Sequence, residues 1–451
     1  MRRTIIVGAG LCGLVAARTC RDEGREVLIL EAGGYPGGVI RSERRGGYLI
    51  EHGPNTLALR AGHATDYLEQ MGLLGDAIDA NPEANKRFLV REGRLVAVPA
   101  SASSFLNSPL FSIVGKLRLL LEPLLPRGDA RENESVADFF KRRLGKEVRD
   151  YAANPFIAGV YAARPETLVL RHAFPAIYEI ESKHRSLMLG GIKTAKRRKR
   201  EGLPKTRLVS FKEGLAALPN RLAEELGDDL RLNAPVRRIS RDGDNWKVAF
   251  EEAGELKEER ADRIVCSVPA HALKSIEWEG LAESESLNTL ASAPHYPLAV
   301  VQLGFRRDEV GHPLDGFGFL VPEKENLRIL GTLFSSTLFP GRAPDGHVLL
   351  TTFVGGERQP DLTEKSDEGL CELVLEELQG LLDVQGKPTF RNLVRWPKAI
   401  PLPDSGQDNR LAAAKRLQDA NPGLILSGSH LTGASLPACL EGAESLLSEN
   451  G

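Results

Sequence analysis

Gly8, Gly10, Gly13 and Glu31 have the residue types and the spacing to hold a dinucleotide. Gly8 permits a tight turn, Gly10 lets the backbone approach a pyrophosphate, and Gly13 lets a helix pack closely on a strand. Ala9, Leu11 and Cys12 complete that turn, and a helix starting here turns its unpaired N–H groups and positive dipole end toward the phosphates. Glu31, 18 residues beyond Gly13, would accept from ribose hydroxyls. This chemistry needs a strand before the turn, a helix after it and a second strand ending at the acid. Thr4-Ile5-Ile6-Val7 and Val27-Leu28-Ile29-Leu30 read as the strands, and the Ala- and Arg-rich stretch that closes at Gly24 reads as the helix. The apolar opening runs straight into Arg18, Arg21, Asp22 and Glu23 without a convincing small-residue cleavage site, so it is read as part of this unit and not as a secretory leader.

A second glycine cluster follows, Ala32-Gly33-Gly34-Tyr35-Pro36-Gly37-Gly38-Val39-Ile40-Arg41-Ser42, for which a simple NAD site gives no reason. It resembles the extended motif of the two-domain FAD oxidoreductases, the superfamily of amine oxidases, phytoene desaturases and protoporphyrinogen oxidases. Glu51-His52-Gly53-Pro54-Asn55-Thr56 is similar to the segment that in those enzymes passes close to the flavin ring. The resemblance implies FAD, with Ala32, Gly38, Val39, Arg41, Gly53, Pro54, Asn55 and Thr56 touching it and Asn55 near the reaction centre. Residues 424–430 read as a strand entering a glycine turn, and a helix opens after Gly433. By the same resemblance Val236, Gly428, Ser435 and Leu436 join the cofactor site, and the final helix turns its N-terminus to the flavin. Its dipole would stabilise negative charge on the reduced ring.

The 451 residues exceed one simple core, so two domains or three lobes are expected. A net charge of -2 gives no global attraction to nucleic acid or acidic lipid, and any such contact must be local. Cys12, Cys20, Cys266, Cys371 and Cys439 are scattered without CxxC spacing. That pattern points to reduced thiols in a cytosolic setting and away from zinc or a disulfide framework; no metal is expected. No apolar run reaches the length of a membrane span, so a membrane would be met only at its surface.

Along the chain, residues 57–80 read as helical, and residues 84–99 as a hairpin turning at Glu92-Gly93. Residues 101–125 are apolar and helix-prone, more in keeping with a buried core helix than with the alternative, a monotopic surface in the interfacial layer. Residues 154–165 read as a proline-bounded loop. The basic run from Lys193 to Arg207 reads as a solvated face, with contact to anionic lipid or an acidic partner as the sharper alternative. Residues 210–226 lead into a helix, 230–269 into strands, 298–354 into a mixed sheet and 368–382 into a helix.

Taken together, several segments resemble the protoporphyrinogen oxidase family over nearly the whole chain. They include Gly53-Pro54-Asn55-Thr56, Asn85-Lys86-Arg87-Phe88, Pro155-Phe156-Ile157-Ala158-Gly159-Val160-Tyr161, His184-Arg185-Ser186-Leu187, Gly316-Phe317-Gly318-Phe319-Leu320-Val321-Pro322, Thr352-Phe353-Val354-Gly355-Gly356 and Trp396-Pro397-Lys398-Ala399-Ile400-Pro401. The resemblance implies an α/β plus α+β architecture in three parts. A Rossmann-like FAD domain is assembled from 1–80, 205–280 and 385–451, a mixed-sheet substrate domain from 81–100 and 281–384, and a helical, membrane-facing lobe from 101–204. It implies six-electron oxidation of protoporphyrinogen IX through FAD, with O2 as acceptor and hydrogen peroxide as product, in heme biosynthesis. Arg87 would pair with a propionate, the Gly159 backbone would face the ring, and Phe317, Leu320, Leu333 and Phe353 would line the substrate site. A flat apolar macrocycle needs apolar walls and a few polar anchors, and a carboxylate suits a guanidinium fork.

It further implies a cytoplasmic enzyme peripheral to the inner face of the cytoplasmic membrane, with the next heme-pathway enzyme and a second copy of the chain as candidate partners. The chain departs from the family pattern at Ala162-Ala163-Arg164, where Ala-Gly-Asp is usual, and at Leu402-Pro403, where Gln-Tyr is usual. Coproporphyrinogen oxidation, a flavin amine oxidase and a non-enzymatic module of the GDP-dissociation-inhibitor type are the competing readings.

Overall fold

The computed structural model describes residues 2–60, 62–126 and 132–449. Strands Arg3–Val7, Glu26–Leu30, Leu230–Arg231, Arg263–Cys266 and Leu424–Leu426 form one parallel sheet, ordered 230–231, 26–30, 3–7, 263–266, 424–426. Both faces are covered, so these strands are continuous apolar runs. Helices Leu11–Asp22 and Leu436–Glu449 pack together on one face, and the antiparallel strands Val236–Asp242, Asn245–Glu252 and Glu255–Ala261 bring Ile239, Trp246 and Phe250 against the other. The two ends of the chain meet in this domain.

A second, seven-stranded mixed sheet runs Phe390–Trp396, Leu298–Arg306, His347–Gly355, Gly331–Phe334, Gly316–Leu320, Lys86–Arg91, Arg94–Ala97. One face carries Phe88, Phe319, Phe334, Leu350 and Val354 against Leu370, Val374 and Leu378 of helix Asp367–Leu382. Phe390–Trp396 is an edge strand of this sheet, which corrects its assignment to the FAD domain: pairing with Leu298–Arg306 decides, and order along the chain does not. Helix Ser286–Ala291 packs on helix Gln407–Ala420.

Three local readings are also revised. Among the described residues of 57–80 there is one α-helix, His63–Gln70, followed by a 3-10 turn at Leu74–Asp76, between strands Leu57–Leu59 and Ala77–Asp79, which both pair with Arg207–Phe211. Residues 154–161 are helix, because Pro155 lies in its first turn, where a missing N–H costs nothing. Residues 101–125 do not form a buried helix. They fold as Ala102–Asn107 and Ile113–Leu120, with Ile113 77% and Val114 76% exposed.

Candidate flavin and substrate site

The glycine turn leaves strand Arg3–Val7 and enters helix Leu11–Asp22 at Gly10, which caps it with no side-chain hydrogen bond. The first N–H groups of that helix are therefore left to an anion. Gly8 has φ +99°, and Gly13 packs so closely that a Cβ there would lie 2.0 Å from the Gly8 oxygen and 2.4 Å from Ser267 Oγ. Ser267 fastens the turn, donating to the Gly8 oxygen at 3.0 Å. At Gly10 the Cβ direction opens into free space.

The second glycine cluster lies against the first. Gly37 N–H donates to the Ala9 oxygen at 2.8 Å, and a Cβ on Gly38 would touch the Gly10 Cα at 3.4 Å. Glu31 bridges the two loops, accepting from the N–H of Ala9 and of Gly33, each at 2.7 Å. Each carboxylate oxygen keeps lone-pair capacity for a ribose hydroxyl. Ala32 and Val39 are exposed beside this bridge. Arg41 stacks over Tyr35 at 4.8 Å. Ala234 N–H donates to the Glu31 oxygen at 2.8 Å, which brings Val236, two residues on, to the edge of the same loop.

The wall continues toward the second sheet. A Cβ on Gly53 would fall 2.1 Å from the Val39 oxygen, so only glycine fits this crossing. Asn55 Nδ2 donates to the Gly53 oxygen at 3.0 Å and folds residues 53–56 into a compact turn with Pro54 and Thr56. Gln302 Nε2 and Trp396 Nε1, from the seven-stranded sheet, hold the carbonyls of Glu51 and His52 at 2.7 and 2.9 Å. Glycine loops and sheet are thus joined directly through this segment. From the far end of the chain, Gly428 takes φ +127°, Ser435 Oγ accepts from the Ala438 N–H at 3.3 Å, and Leu436 begins the final helix. Thr432 Oγ1 lies 4.0 Å from Cys12 Sγ. His430, in this turn, is buried, and burial lowers its pKa to about 4, so it is neutral at pH 7.

On the seven-stranded sheet the register sorts the remaining candidates. Arg87 is opposite Gly318 and Gly318 opposite Leu333; Leu320 is opposite Gly331 and Gly331 opposite Phe353. Side chains alternate along a strand, so Arg87, Leu320, Leu333 and Phe353 share one face with Gln302, the face turned away from helix Asp367–Leu382. Phe317 is the extra residue of a bulge, and the Arg87 guanidinium lies 5.3 Å above its ring. Gly159, on helix Asn154–Tyr161, sits over Leu320: a methyl there would approach Leu320 Cδ2 to 2.5 Å.

These close approaches form a cradle that side chains would fill, backed by an uncapped helix end and an acid bridging two loops. The fit to a dinucleotide with an extended second half is direct. The model of flavin-containing amine oxidoreductases matches residues 11–445. The chain belongs to this family. FAD is therefore its cofactor. Among curated proteins, it is 35% identical to the mitochondrial protoporphyrinogen oxidase of Nicotiana tabacum, covering 97% of this chain and 92% of that one. It is 27% identical to the coproporphyrinogen III oxidase of Bacillus subtilis, covering 99% and 97%. A solved structure from Exiguobacterium sp. 255-15 superposes with TM-score 0.83 at 24% identity, covering 99% of this chain and 98% of that one. The cyclohexylamine oxidase of Brevibacterium oxydans superposes with TM-score 0.68 at 18% identity, covering 99% of both.

Sequence reasoning missed Ser42, Ser267, Gln302 and Arg342. Ser267, Gln302 and Arg342 act on partners too distant in the chain to leave a local signal, such as Gln302 on Glu51, 251 residues away, and Ser42 meets Glu51 across a hairpin.

Proposed function

We propose that the chain oxidises protoporphyrinogen IX to protoporphyrin IX, a six-electron reaction of heme biosynthesis, with O2 as acceptor and hydrogen peroxide as product. The observation that carries this reading is Arg87. Among the described residues its exposed guanidinium has no acidic partner, and it stands on a sheet face with Leu320, Leu333 and Phe353. A guanidinium without a carboxylate beside apolar walls suits a flat macrocycle that carries propionates. FAD, when bound, accepts two electrons per round as hydride. Arg87 fixes the ring laterally, Leu320, Leu333 and Phe353 flank it, and the Gly159 backbone faces the ring. Asn55 stands at the cofactor side. No side chain among these acts as a base, and rate comes from positioning.

Coproporphyrinogen, with four carboxylates, would need more free cations than this site offers. Arg164 is paired with Glu323 at 3.0 Å, Arg185 donates to the Leu124 and Leu125 carbonyls, and Arg358 is spent on Val321 and Asn154. We further read Ile113, Val114, Leu117, Leu121 and Leu124, together with Met188, Leu189 and Ile192, as a surface that rests on an anionic membrane. All eight are exposed, and helix Leu187–Arg200 carries the basic run at its end.

The deciding experiment is anaerobic mixing of the FAD-loaded protein with protoporphyrinogen IX and, separately, coproporphyrinogen III, following loss of oxidised-flavin absorbance. Fast bleaching by the first alone is expected, and bleaching by neither defeats the reading. Arg87→Ala should weaken half-saturation roughly tenfold or more, the loss of one charge-assisted pair, with FAD content unchanged. Loss of FAD in this variant would reassign Arg87 to the cofactor.

A further inference from the structure

Glu51 ends the strand Tyr48–Glu51, two residues before Gly53, and is 4% exposed. It ties together three separate parts of the fold. Ser42 Oγ donates to its Oε2 at 2.5 Å, Leu215 N–H donates to its Oε1 at 2.9 Å, and Gln302 Nε2 donates to its backbone oxygen at 2.7 Å. Ser42 Oγ also accepts from the Ala216 N–H at 3.0 Å, while Gln302 Oε1 accepts from Asn392 Nδ2 at 2.6 Å. Gly214, at φ +86°, makes room for the junction, since a Cβ there would lie 2.2 Å from Ser42 Oγ and 2.8 Å from Glu51 Oε1.

Opposite the carboxylate stands Arg342, 2% exposed, with Nη2 3.7 Å from Glu51 Oε1. Its hydrogen bonds go elsewhere, to Ser210 Oγ at 2.6 Å and to the Phe211 oxygen. Both residues line a void of about 10 Å³, together with Asn55, Ser335 and Thr351. That is about the room one water needs, with polar groups on several sides. On the far side of Arg342 a larger, polar cleft of about 390 Å³ runs past Gly341, Pro344 and His347. Arg342 thus lines both spaces.

We propose that Glu51 is the positioning residue of the flavin segment: its carboxyl, held by Ser42 and Leu215 and lining one polar void with Asn55 and Arg342, and its backbone oxygen, held by Gln302, tie residues 53–56 to the glycine loops and the substrate sheet. Two buried charges that face each other without a direct hydrogen bond are a costly arrangement, and a neutral amide of the same shape would keep most of these contacts. A charge retained at such a cost belongs to a site where position or protonation matters. Burial pushes the Glu51 carboxyl up to about 7, against the hydrogen bonds from Ser42 and Leu215 and the charge of Arg342. Beyond the guanidinium lie Arg44 and Glu213. The sheet presents the neutral Gln302, Asn392 and Thr351, and the Leu215 turn presents a backbone N–H. Because the folded value lies above the ordinary 4.5, this group's stabilising contribution is full below 4.5 and is lost as pH rises through about 7. Ionised Glu51 therefore weakens the fold at the pH where it pairs with Arg342.

The inference needs FAD but not a porphyrinogen, so its failure is distinguishable from failure of the proposed reaction. The test uses FAD-loaded protein and reads the visible absorption of bound flavin and the thermal midpoint from about pH 5.5 to 9. In the wild type the flavin spectrum is expected to shift in one step near the Glu51 value. Glu51→Gln should keep FAD, lose that step, and raise the midpoint above pH 7. Arg342→Met should move the step to higher pH, because the guanidinium no longer favours the carboxylate. A step unchanged in Glu51→Gln, a step that does not move in Arg342→Met, or no step in the wild type overturns the proposal. Should Glu51→Gln lose its flavin, the displaced step in Arg342→Met decides alone.

Discussion

The FAD sheet and the helical lobe at residues 102–200 are built on opposite plans. In the sheet, Ile5, Ile6, Leu14 and Ile29 are fully buried. In the lobe a buried apolar cluster of Val136, Phe139, Ile157, Leu168 and Leu170 is joined by a buried ionic one. Arg143 donates to Glu122 at 2.5 Å and lies 3.4 Å from Glu181, and Arg142 holds Glu181 and Glu134 at 2.9 and 2.7 Å. Meanwhile Ile113, Val114 and Leu124 are at least 70% exposed. Burial alone would raise the proton affinity of Glu122. Hydrogen bonds from Ser186, Leu187 and Met188, with the charge of Arg143, hold it below the ordinary 4.5. Stability from this carboxylate is therefore full above 4.5 and is lost as pH falls below it. The comparison teaches that the lobe buries charge beside its apolar cluster while leaving large apolar side chains outside, and an exposed apolar patch of this kind marks a surface for interaction.

The largest expected effect tests the ionic interior. Arg143→Met leaves Glu122 and Glu181 without their shared cation and should cost about 3–5 kcal/mol. Thermal unfolding followed by circular dichroism measures it, and a loss of less than 1 kcal/mol would mean that apolar packing, as in the sheet, holds the lobe. Next comes the counterpart on the sheet side. Gly13→Ala drives a methyl into the Gly8 oxygen and Ser267, so a cost on the order of 3 kcal/mol and loss of bound FAD are expected. The flavin-to-protein absorbance ratio after purification checks this, and a fully loaded variant would show that helix Leu11–Asp22 can shift at no penalty.

The two plans also explain what was legible in the sequence. Gly8, Gly10, Gly13, Glu31 and the strands around them could be read directly, because a close approach of backbone leaves glycine in fixed positions and a twice-covered strand leaves an apolar run. Residues 113–124 read as a buried core helix, and Ile113, Val114 and Leu124 are exposed instead, because an apolar helix has the same composition in a protein core and on an exposed face. The deciding information, the pairing of Arg143 with Glu122 and Glu181 across 21 and 38 positions, is tertiary. The face shared by Arg87, Leu333 and Phe353 was named only through family resemblance. Their placement side by side rests on strand register, and one residue of slip would have turned them to the other face.

The smallest effect on stability should come where the comparison is sharpest. Ile113→Ser, Val114→Ser and Leu117→Ser combined remove three apolar side chains that are 77%, 76% and 54% exposed and that contribute little to the core. Each should change stability by no more than about 0.5 kcal/mol, since substitutions at exposed sites away from special features usually stay in that range. Sedimentation with vesicles of anionic phospholipid should nevertheless fall severalfold, because interfacial binding scales with buried apolar area plus attraction of the neighbouring cations. The same substitutions in a buried helix would each cost several kcal/mol, so a large loss of stability would return residues 113–120 to the core. Unchanged stability together with unchanged sedimentation would leave the apolar face to a protein partner. Only reduced sedimentation with an intact fold fits a lobe whose apolar exterior is matched to a membrane surface.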